Sequence, residues 1–434
     1  MPFLDRTRRW QRLFKGVILT VTTLVILIML EASGAARHYL ARSVLIVKDV
    51  ATRRLWGLDP DRAMIEADWR LRRQRGVERT WTSLANFYRG APEETKELFR
   101  VAGMDPAHAL VCYGRGDEAF VISPQIFERD EHGRSYRLRP STRSVWLRQI
   151  TIRGGPFMMF QVLDTPRHRA AAGRAGAIVD EGSIQTTNSW GLRGAEPDPS
   201  ASLRGIVLGD SFMQAMFNGD DATPTVYLEQ YLRDARKTSV SILNTGHIGY
   251  SPEQYYYTLL EYGDRFHPQF LVVSVCPNDF GLGDEVLAGK GDWFDEAEYW
   301  LGNIQEWCFA RNVMLLLVPV PSHYQVESRR HDALYPGRVC EIFQPSPLRY
   351  CFPLDEFIDE HLRLGVETMR QGQSPSHSPL YNWQINDNHF SPRGAALWAR
   401  VVGRRLVRLL EFKEAAARQS SDVALNPGVS SSAP

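Results

Sequence analysis

Residues 205–212 read GIVLGDSF, a short apolar run that stops at a glycine and is followed by a serine. The β-branched and aliphatic residues 206–208 predict a buried strand, and residues 213–217 predict the start of a helix. A serine at the mouth of a helix is well placed to act as a nucleophile, because the N–H groups there favour developing negative charge. The same stretch is equally consistent with an ordinary strand–turn–helix in which Ser211 only caps the helix.

The composition is that of a globular chain with enough residues for a large core. Lys and Arg number 51 against 50 Asp and Glu, so the net charge of +1 gives no basic field for nucleic acid. The five cysteines show no CxxC spacing typical of zinc, and no histidine cluster has metal-ligand spacing. Cys340 and Cys351 flank a short proline-containing loop and could pair in an oxidising compartment.

The N-terminus predicts a membrane anchor. Residues 1–15 carry five basic side chains, and residues 16–36 contain a long apolar run that approaches the roughly 20 residues of a spanning helix. The basic flank is expected to stay cytoplasmic, which places the remaining chain in the periplasm or outside the cell. A cleaved signal peptide is the alternative, because residues 32–36 (ASGAA) are small. The length of the apolar run favours the anchor.

Residues 37–187 predict an accessory region that is helical first and β-rich afterwards. Between about residues 109 and 164, short β-type runs are separated by Gly and Pro. Residues 170–176 are predicted to form a small-residue loop.

Residues 188–412 predict an α/β domain. Apolar runs that predict strands alternate with patterns that predict helices: strands at 206–208, 240–243, 270–275 and 313–318, helices at 226–235, 252–262 and 295–310. Continuous apolar strands separated by helices favour a parallel sheet covered on both faces, a three-layer α/β/α arrangement. Residues 322–382 are loop-rich and predict a substrate-shaping or partly mobile insertion. The last helix is predicted to open at Ser391 and Pro392, and residues 413–434 are predicted to be a disordered tail.

Polar residues follow these strands at the edge of the sheet where α/β sites lie. The chain reads NTGHIG at 244–249, CPND at 276–279 and DNHFSPRG at 387–394. A neutral serine needs a base to take its proton, and His389 is the natural candidate, with Asp387 to orient its other ring nitrogen. A loop glycine N–H and an Asn amide are suitable donors for the oxyanion of acyl transfer.

These four blocks resemble those of the SGNH (GDSL-type) hydrolase family, named after its Ser, Gly, Asn and His blocks. The resemblance covers about residues 188–412, including NSWGLRG at 188–194, which is similar to the lead-in of exported members. It implies that Ser211 is the nucleophile and one oxyanion donor, that Gly249 and Asn278 supply the other donors, and that His389 is the base. It implies no metal and no organic cofactor.

Two positions depart from the family pattern. Cys276 stands where the third block usually has glycine. Many relatives carry the acid three residues before the histidine, which is Asn386 here, whereas a spacing of two resembles the exported polysaccharide-acetylation branch. The predicted acid is therefore Asp387.

The sequence thus predicts an exported, membrane-anchored serine esterase or O-acyl (acetyl) transferase that acts on an ester-bearing envelope or extracellular glycan. Aromatic residues in and around the insertions are candidates to stack on sugar rings, although core packing is the simpler interpretation of any single one: Trp293, Trp300, Tyr324, Tyr381 and Trp383. The alternative is a catalytically weak scaffold or glycan-binding component of an envelope assembly, with residues 37–187 as the module that binds a protein partner.

Overall fold

The computed structural model describes residues 60–425 apart from 115–118, 131–132, 151–157, 283–292, 333, 343–349, 372–376 and 383–387. The basic N-terminus at 1–15 and the anchor predicted at 16–36 lie outside these residues. Within the described part of the chain, no helix combines the length and the apolar character that crossing a membrane requires.

The chain divides into two compact units, residues 1–76 and residues 77–434. Of the first unit, the structure describes the beginning of the long helix α1 (Pro60–Gly90). All the features discussed below belong to the second unit.

After α1, the second unit continues with two helices and a set of antiparallel strands. In chain order they are α2 (Glu93–Ala102), β1 (Leu110–Tyr113), β2 (Ala119–Ile122), β3 (Phe127–Asp130), β4 (Ser135–Leu138), β5 (Arg143–Ile150), β6 (Met158–Leu163), α3 (Pro166–Arg174), β7 (Ile178–Val179) and β8 (Gln185–Thr186). Two hairpins form, β1–β2 and β3–β4, and β5 pairs with β6, β7 and β8.

Alternating strands and helices follow. In chain order they are β9 (Leu203–Leu208), α4 (Ser211–Gln214), α5 (Pro224–Arg236), β10 (Val240–Asn244), α6 (Pro252–Phe266), β11 (Phe270–Val275), α7 (Phe294–Ala310), β12 (Met314–Pro319), α8 (His323–Ser328), α9 (Gly337–Ile342), α10 (Leu354–Arg370) and α11 (Pro392–Leu425). The strand order is β10–β9–β11–β12, and every neighbouring pair is parallel. The predicted parallel sheet is therefore present.

The two faces of this sheet carry separate cores because successive side chains of a strand point to opposite sides. Leu271, Val273 and Val275 face one core with α6 and α7, while Phe270 and Val272 face the other with α5, α10 and α11. The helices thus lie on both faces, as the continuous apolar strands predict. All four strands run the same way, so their carboxyl ends meet at one edge.

The hairpin β3–β4 belongs to the first of these cores. Phe127, Tyr136 and Leu138 are buried together with sheet and α6 side chains such as Ile206 and Tyr255. The β-rich region is consequently packed onto the α/β sheet and shares its core.

Two regions that were predicted to be loops contain helix. Residues 170–176 were expected to be a loop, but α3 extends to Arg174, because Thr165 caps its first turn and Pro166 occupies the first helical position. The insertion at 322–382 contains α8, α9 and the 17-residue α10, which buries Leu354, Phe357 and Leu364 on one face. The prolines and serines around α10 obscured this face.

The tail predicted from residue 413 is also partly helical, since α11 continues to Leu425. Charged contacts hold this extension: Arg236 of α5 pairs with Glu414, and Lys413 Nζ donates to Asn312 O at 2.6 Å. Residues 426–434 lie outside the described residues.

Candidate active site

Ser211 lies at the carboxyl edge of the parallel sheet, at the start of α4. Strand β9 ends at Leu208, and Asp210 caps the short helix by accepting from Phe212 N at 3.0 Å. The side chain of Ser211 is almost fully buried, with 5% of the residue exposed. The turn therefore presents the hydroxyl in a largely dry environment.

His389 is next to this hydroxyl, with Nε2 2.7 Å from Ser211 Oγ. The imidazole ring packs 4.7 Å from the ring of Phe212, centroid to centroid. The following residue, Phe390, is fixed by two amides, because its carbonyl accepts from Asn218 Nδ2 at 3.0 Å and Asn382 Nδ2 at 2.9 Å. The imidazole of His389 thus packs against Phe212, and the residue that follows it is anchored by two side-chain amides. The predicted acid Asp387, like Asn386, lies outside the described residues.

Asn278 follows β11 in a short 3-10 turn, Pro277–Phe280. Its Oδ1 accepts from the thiol of Cys276, whose Sγ also lies 2.8 Å from Asp210 Oδ2. Asp210 Oδ2 is in turn 3.5 Å from Ser211 Oγ. Asn278 is half-buried, and within the described part of the chain its Nδ2 donates to no other residue. The third block therefore reaches the Ser211 turn through Cys276.

Gly249 lies in the loop after β10 with a φ of +71°, a conformation that favours glycine. A Cβ there would lie 2.3 Å from Phe120 Cε2 of the hairpin β1–β2. The preceding Ile248 N donates to Gln214 Oε1 of α4 at 2.6 Å, which ties this loop to the serine turn. Among the described residues nothing accepts from the N–H groups of Ser211 or Gly249, so both donors are available for a ligand.

The hairpin β3–β4 holds the same loop through polar contacts. Tyr136 OH donates to Ile248 O, and Tyr250 OH donates back to Tyr136 O at 2.5 Å. Leu138 N donates to His247 Nε2 at 3.3 Å, so His247 Nδ1 carries the proton and donates to Thr245 O at 3.0 Å. Burial lowers the pKa of His247 to about 4 and keeps the ring neutral in this arrangement. No local sequence pattern indicates this connection.

Arg193 supports α4 from the other side and was not predicted as a functional residue. Its buried guanidinium donates to the backbone carbonyls of Gln214, Ala215 and Asn218, directly after the serine turn. Burial lowers the pKa of Arg193 to about 10, and Asp220 nearby opposes that shift. Arg193 belongs to the NSWGLRG run at 188–194, which is the one signal of it in the sequence. In the structure it is buried against the turn that carries Ser211.

Two of the five aromatic residues predicted to stack on sugars are buried. Trp300 and Tyr381 are 3% and 2% exposed and belong to the packed interior, so they are corrected to core residues. Trp293 and Tyr324 are half-buried, and Trp383 lies outside the described residues.

Cys340 and Cys351 are free thiols in this structure. In the described ranges, no group of three His, Cys, Asp or Glu side chains could hold a metal ion.

No protein-family model matches this chain, and no curated protein matches it. The chain is similar to solved structures of esterases. A psychrotrophic esterase from a Pseudoalteromonas species is 14% identical, with 48% of this chain and 98% of that chain covered and a TM-score of 0.30. An acetyl xylan esterase is 15% identical over 48% and 99% of the two chains, with a TM-score of 0.36. An acetylxylan esterase from Geobacillus stearothermophilus is 16% identical over 47% and 94%, with a TM-score of 0.32. These TM-scores are low, so the proposed function depends on this chain's own residues.

Proposed function

We propose that this protein is a serine ester hydrolase or acyltransferase of the SGNH type, with Ser211 as nucleophile and His389 as base. The observation that carries the proposal is the 2.7 Å distance between His389 Nε2 and Ser211 Oγ. A serine hydroxyl becomes a useful nucleophile when a neighbouring imidazole can take its proton. The two residues come from opposite ends of the α/β part, and the fold brings their reactive atoms into hydrogen-bond contact.

The proposed reaction is acyl transfer through an acyl-enzyme. Ser211 Oγ attacks the ester carbonyl as His389 Nε2 accepts the proton, and the imidazolium then protonates the departing alcohol. The tetrahedral oxyanion would be stabilised by the N–H groups of Ser211 and Gly249 and by Asn278 Nδ2. Among the described residues, no group accepts a hydrogen bond from any of these three donors, which supports this assignment.

Asp387 is proposed as the residue that orients His389. A carboxylate on the second ring nitrogen would fix the tautomer that leaves Nε2 free to accept. Comparing Asp387→Asn with Asn386→Ala tests the assignment, because only the residue that orients the histidine should reduce kcat by orders of magnitude. A large loss in Asn386→Ala alone would instead assign the orienting role to the Asn386 side-chain amide.

We further propose that the catalytic domain is exported and anchored by residues 16–36, and that its substrate is an O-acylated, most simply O-acetylated, glycan of the envelope or the exterior. The apolar run at 16–36 and the family resemblance support this proposal. Water as acceptor gives hydrolysis, and a sugar hydroxyl gives transfer. Incubation with a labelled acetyl donor and an oligosaccharide, followed by mass spectrometry, distinguishes free acetate from acetylated sugar.

The proposal is tested by labelling the full-length chain with a fluorophosphonate probe and mapping the adduct. We expect modification at Ser211, its loss in Ser211→Ala, and strongly slowed labelling in His389→Ala. His331→Ala is the matched control, because His331 is an exposed histidine that pairs with Asp355 and is not one of the proposed site residues. A folded wild-type protein that the probe does not label would contradict the enzyme proposal and favour the scaffold.

A further inference from the structure

Cys276 lies at the meeting point of three oxygen acceptors. Its Sγ contacts Asn278 Oδ1, is 2.8 Å from Asp210 Oδ2 and is 3.6 Å from Asp279 Oδ2. The residue is fully buried, and its backbone N also donates to Asp279 Oδ2 at 3.0 Å. Asp279 is fixed in turn by Tyr255 OH at 3.1 Å. The thiol is thus the hydrogen donor that Asn278 Oδ1 and Asp210 Oδ2 have in common.

We propose that Cys276 is a positioning residue that sets the orientation of the Asn278 carboxamide. An amide has an acceptor end and a donor end, and a thiol proton directed at Oδ1 selects the orientation in which Nδ2 faces away from the sulfur. Asn278 Nδ2 is the end that engages no described residue. Cys276 therefore keeps the donating end of Asn278 available to the reacting group. A glycine at position 276 could not do this, because it has no side-chain donor.

The contact with Asp210 explains why the Asn278 amide would turn if the thiol were absent. Asp210 caps α4 through Oδ1, while its Oδ2 faces both Cys276 Sγ and Ser211 Oγ. Without the thiol, the Asp210 carboxylate and the Asn278 carbonyl would present two acceptors to each other. The amide would then gain by turning its N–H₂ group towards the carboxylate. That rotation would withdraw the donor from the oxyanion.

This inference rests on the proposed function, since it assigns a role in stabilising the oxyanion. The experiment is a double-mutant cycle with p-nitrophenyl acetate as the probe ester, using full-length Cys276→Ala, Asn278→Ala and the double variant. Because the oxyanion exists only in the transition state, we expect Cys276→Ala to lower kcat about tenfold while KM stays near its wild-type value. In the Asn278→Ala background, Cys276→Ala should change kcat little.

Cys276→Ser retains a donor and should recover most of kcat, whereas Cys276→Val retains volume without a donor and should behave like Cys276→Ala. Cys276→Val also replaces Cys276→Ala in the cycle if the latter does not fold. Cys308→Ala is the control for loss of a buried thiol elsewhere, in α7, and should leave kcat unchanged.

Equal losses in the wild-type and Asn278→Ala backgrounds would overturn the inference, as would failure of Cys276→Ser to recover activity. Ser211→Ala separates the two proposals. Persistent hydrolysis in Ser211→Ala contradicts the proposed function itself. Loss of hydrolysis in Ser211→Ala together with wild-type kcat in Cys276→Ala contradicts only the positioning role.

Discussion

The phenol of Tyr136 donates a hydrogen bond to the backbone carbonyl of Ile248, and this contact joins the β-rich region to the loop that ends in Gly249. Tyr136 is fully buried, so the contact is shielded from water. The region that precedes the α/β sheet is therefore part of the support of the proposed oxyanion site. That residues 37–187 bind a protein partner stays a prediction.

Tyr136→Phe is expected to lower kcat about fivefold, because losing one hydrogen bond of about 1 kcal/mol loosens the loop that presents Gly249 N. KM for p-nitrophenyl acetate should change little. Tyr113→Phe is the matched control, since Tyr113 OH donates to Gly133 O within the β-rich region. Equal effects of the two substitutions would show that Tyr136 contributes only general stability.

Arg193→Lys is expected to slow fluorophosphonate labelling of Ser211 and to lower the free energy of unfolding by about 2–4 kcal/mol. A lysine cannot reproduce the fork that reaches three carbonyls after α4, and at least one of them would be left buried and unpaired. Arg204 provides the comparison, because it also donates to three backbone carbonyls (Ala201, Phe266 and His267) but at the opposite end of β9. Arg204→Lys should leave the labelling rate unchanged, and slowed labelling in both variants would contradict a specific role for Arg193.

Gly246→Ala is expected to destabilise the protein by about 1–3 kcal/mol and to reduce labelling of Ser211. The added Cβ would lie 2.3 Å from Gln214 N and 2.5 Å from Met213 C, which are backbone atoms of the serine turn and cannot rotate away. Gly302→Ala in α7 is the control, because a Cβ there meets nothing within 4 Å and alanine favours helix by up to about 1 kcal/mol. Wild-type stability and labelling in Gly246→Ala would show that the loop can shift away from α4 and make room for the added Cβ.

Stability is expected to fall as pH decreases from about 6.5 towards 4, with a contribution from His247 of about 3 kcal/mol. Burial lowers the pKa of His247 to about 4 in the folded state, so the unfolded chain binds the proton first and is favoured by acid. Burial also lowers the pKa of His168 and His361, which adds to the loss in the same direction. Denaturant unfolding at several pH values should show that the free energy of unfolding depends less steeply on pH in His247→Gln than in the wild-type protein. An unchanged pH dependence would contradict the assignment to His247.

The parallel sheet could be predicted because its strands are buried on both faces and read as uninterrupted apolar runs. The run at 270–275 coincides with β11, and the predicted strand 240–243 is one residue shorter than β10. Helix α10 was missed because its buried residues, Leu354, Phe357 and Leu364, are few and widely spaced among charged ones. Such a face becomes evident only when α8 and α11 are seen to cover it.

The proximity of Ser211 and His389 could also be anticipated, because each follows a recognisable strand end or precedes a helix with a clear start. The supporting residues could not. Arg193, Tyr136 and Cys276 act through partners that are distant in sequence, and nothing local distinguishes a buried arginine or tyrosine from an exposed one. Because glycine usually stands at this position in the family that the sequence resembles, the pattern suggested that a side chain at position 276 has no role.

His389 stands immediately before the last helix, whereas Ser211 lies near the middle of the chain. Synthesis from the N-terminus therefore produces Ser211 long before His389. A polypeptide that terminates between residues 320 and 388 contains all four strands of the parallel sheet and Ser211, but not the imidazole that lies beside the serine hydroxyl. Translation past residue 389 is thus a condition for the contact between these two side chains on which the proposed ester chemistry depends.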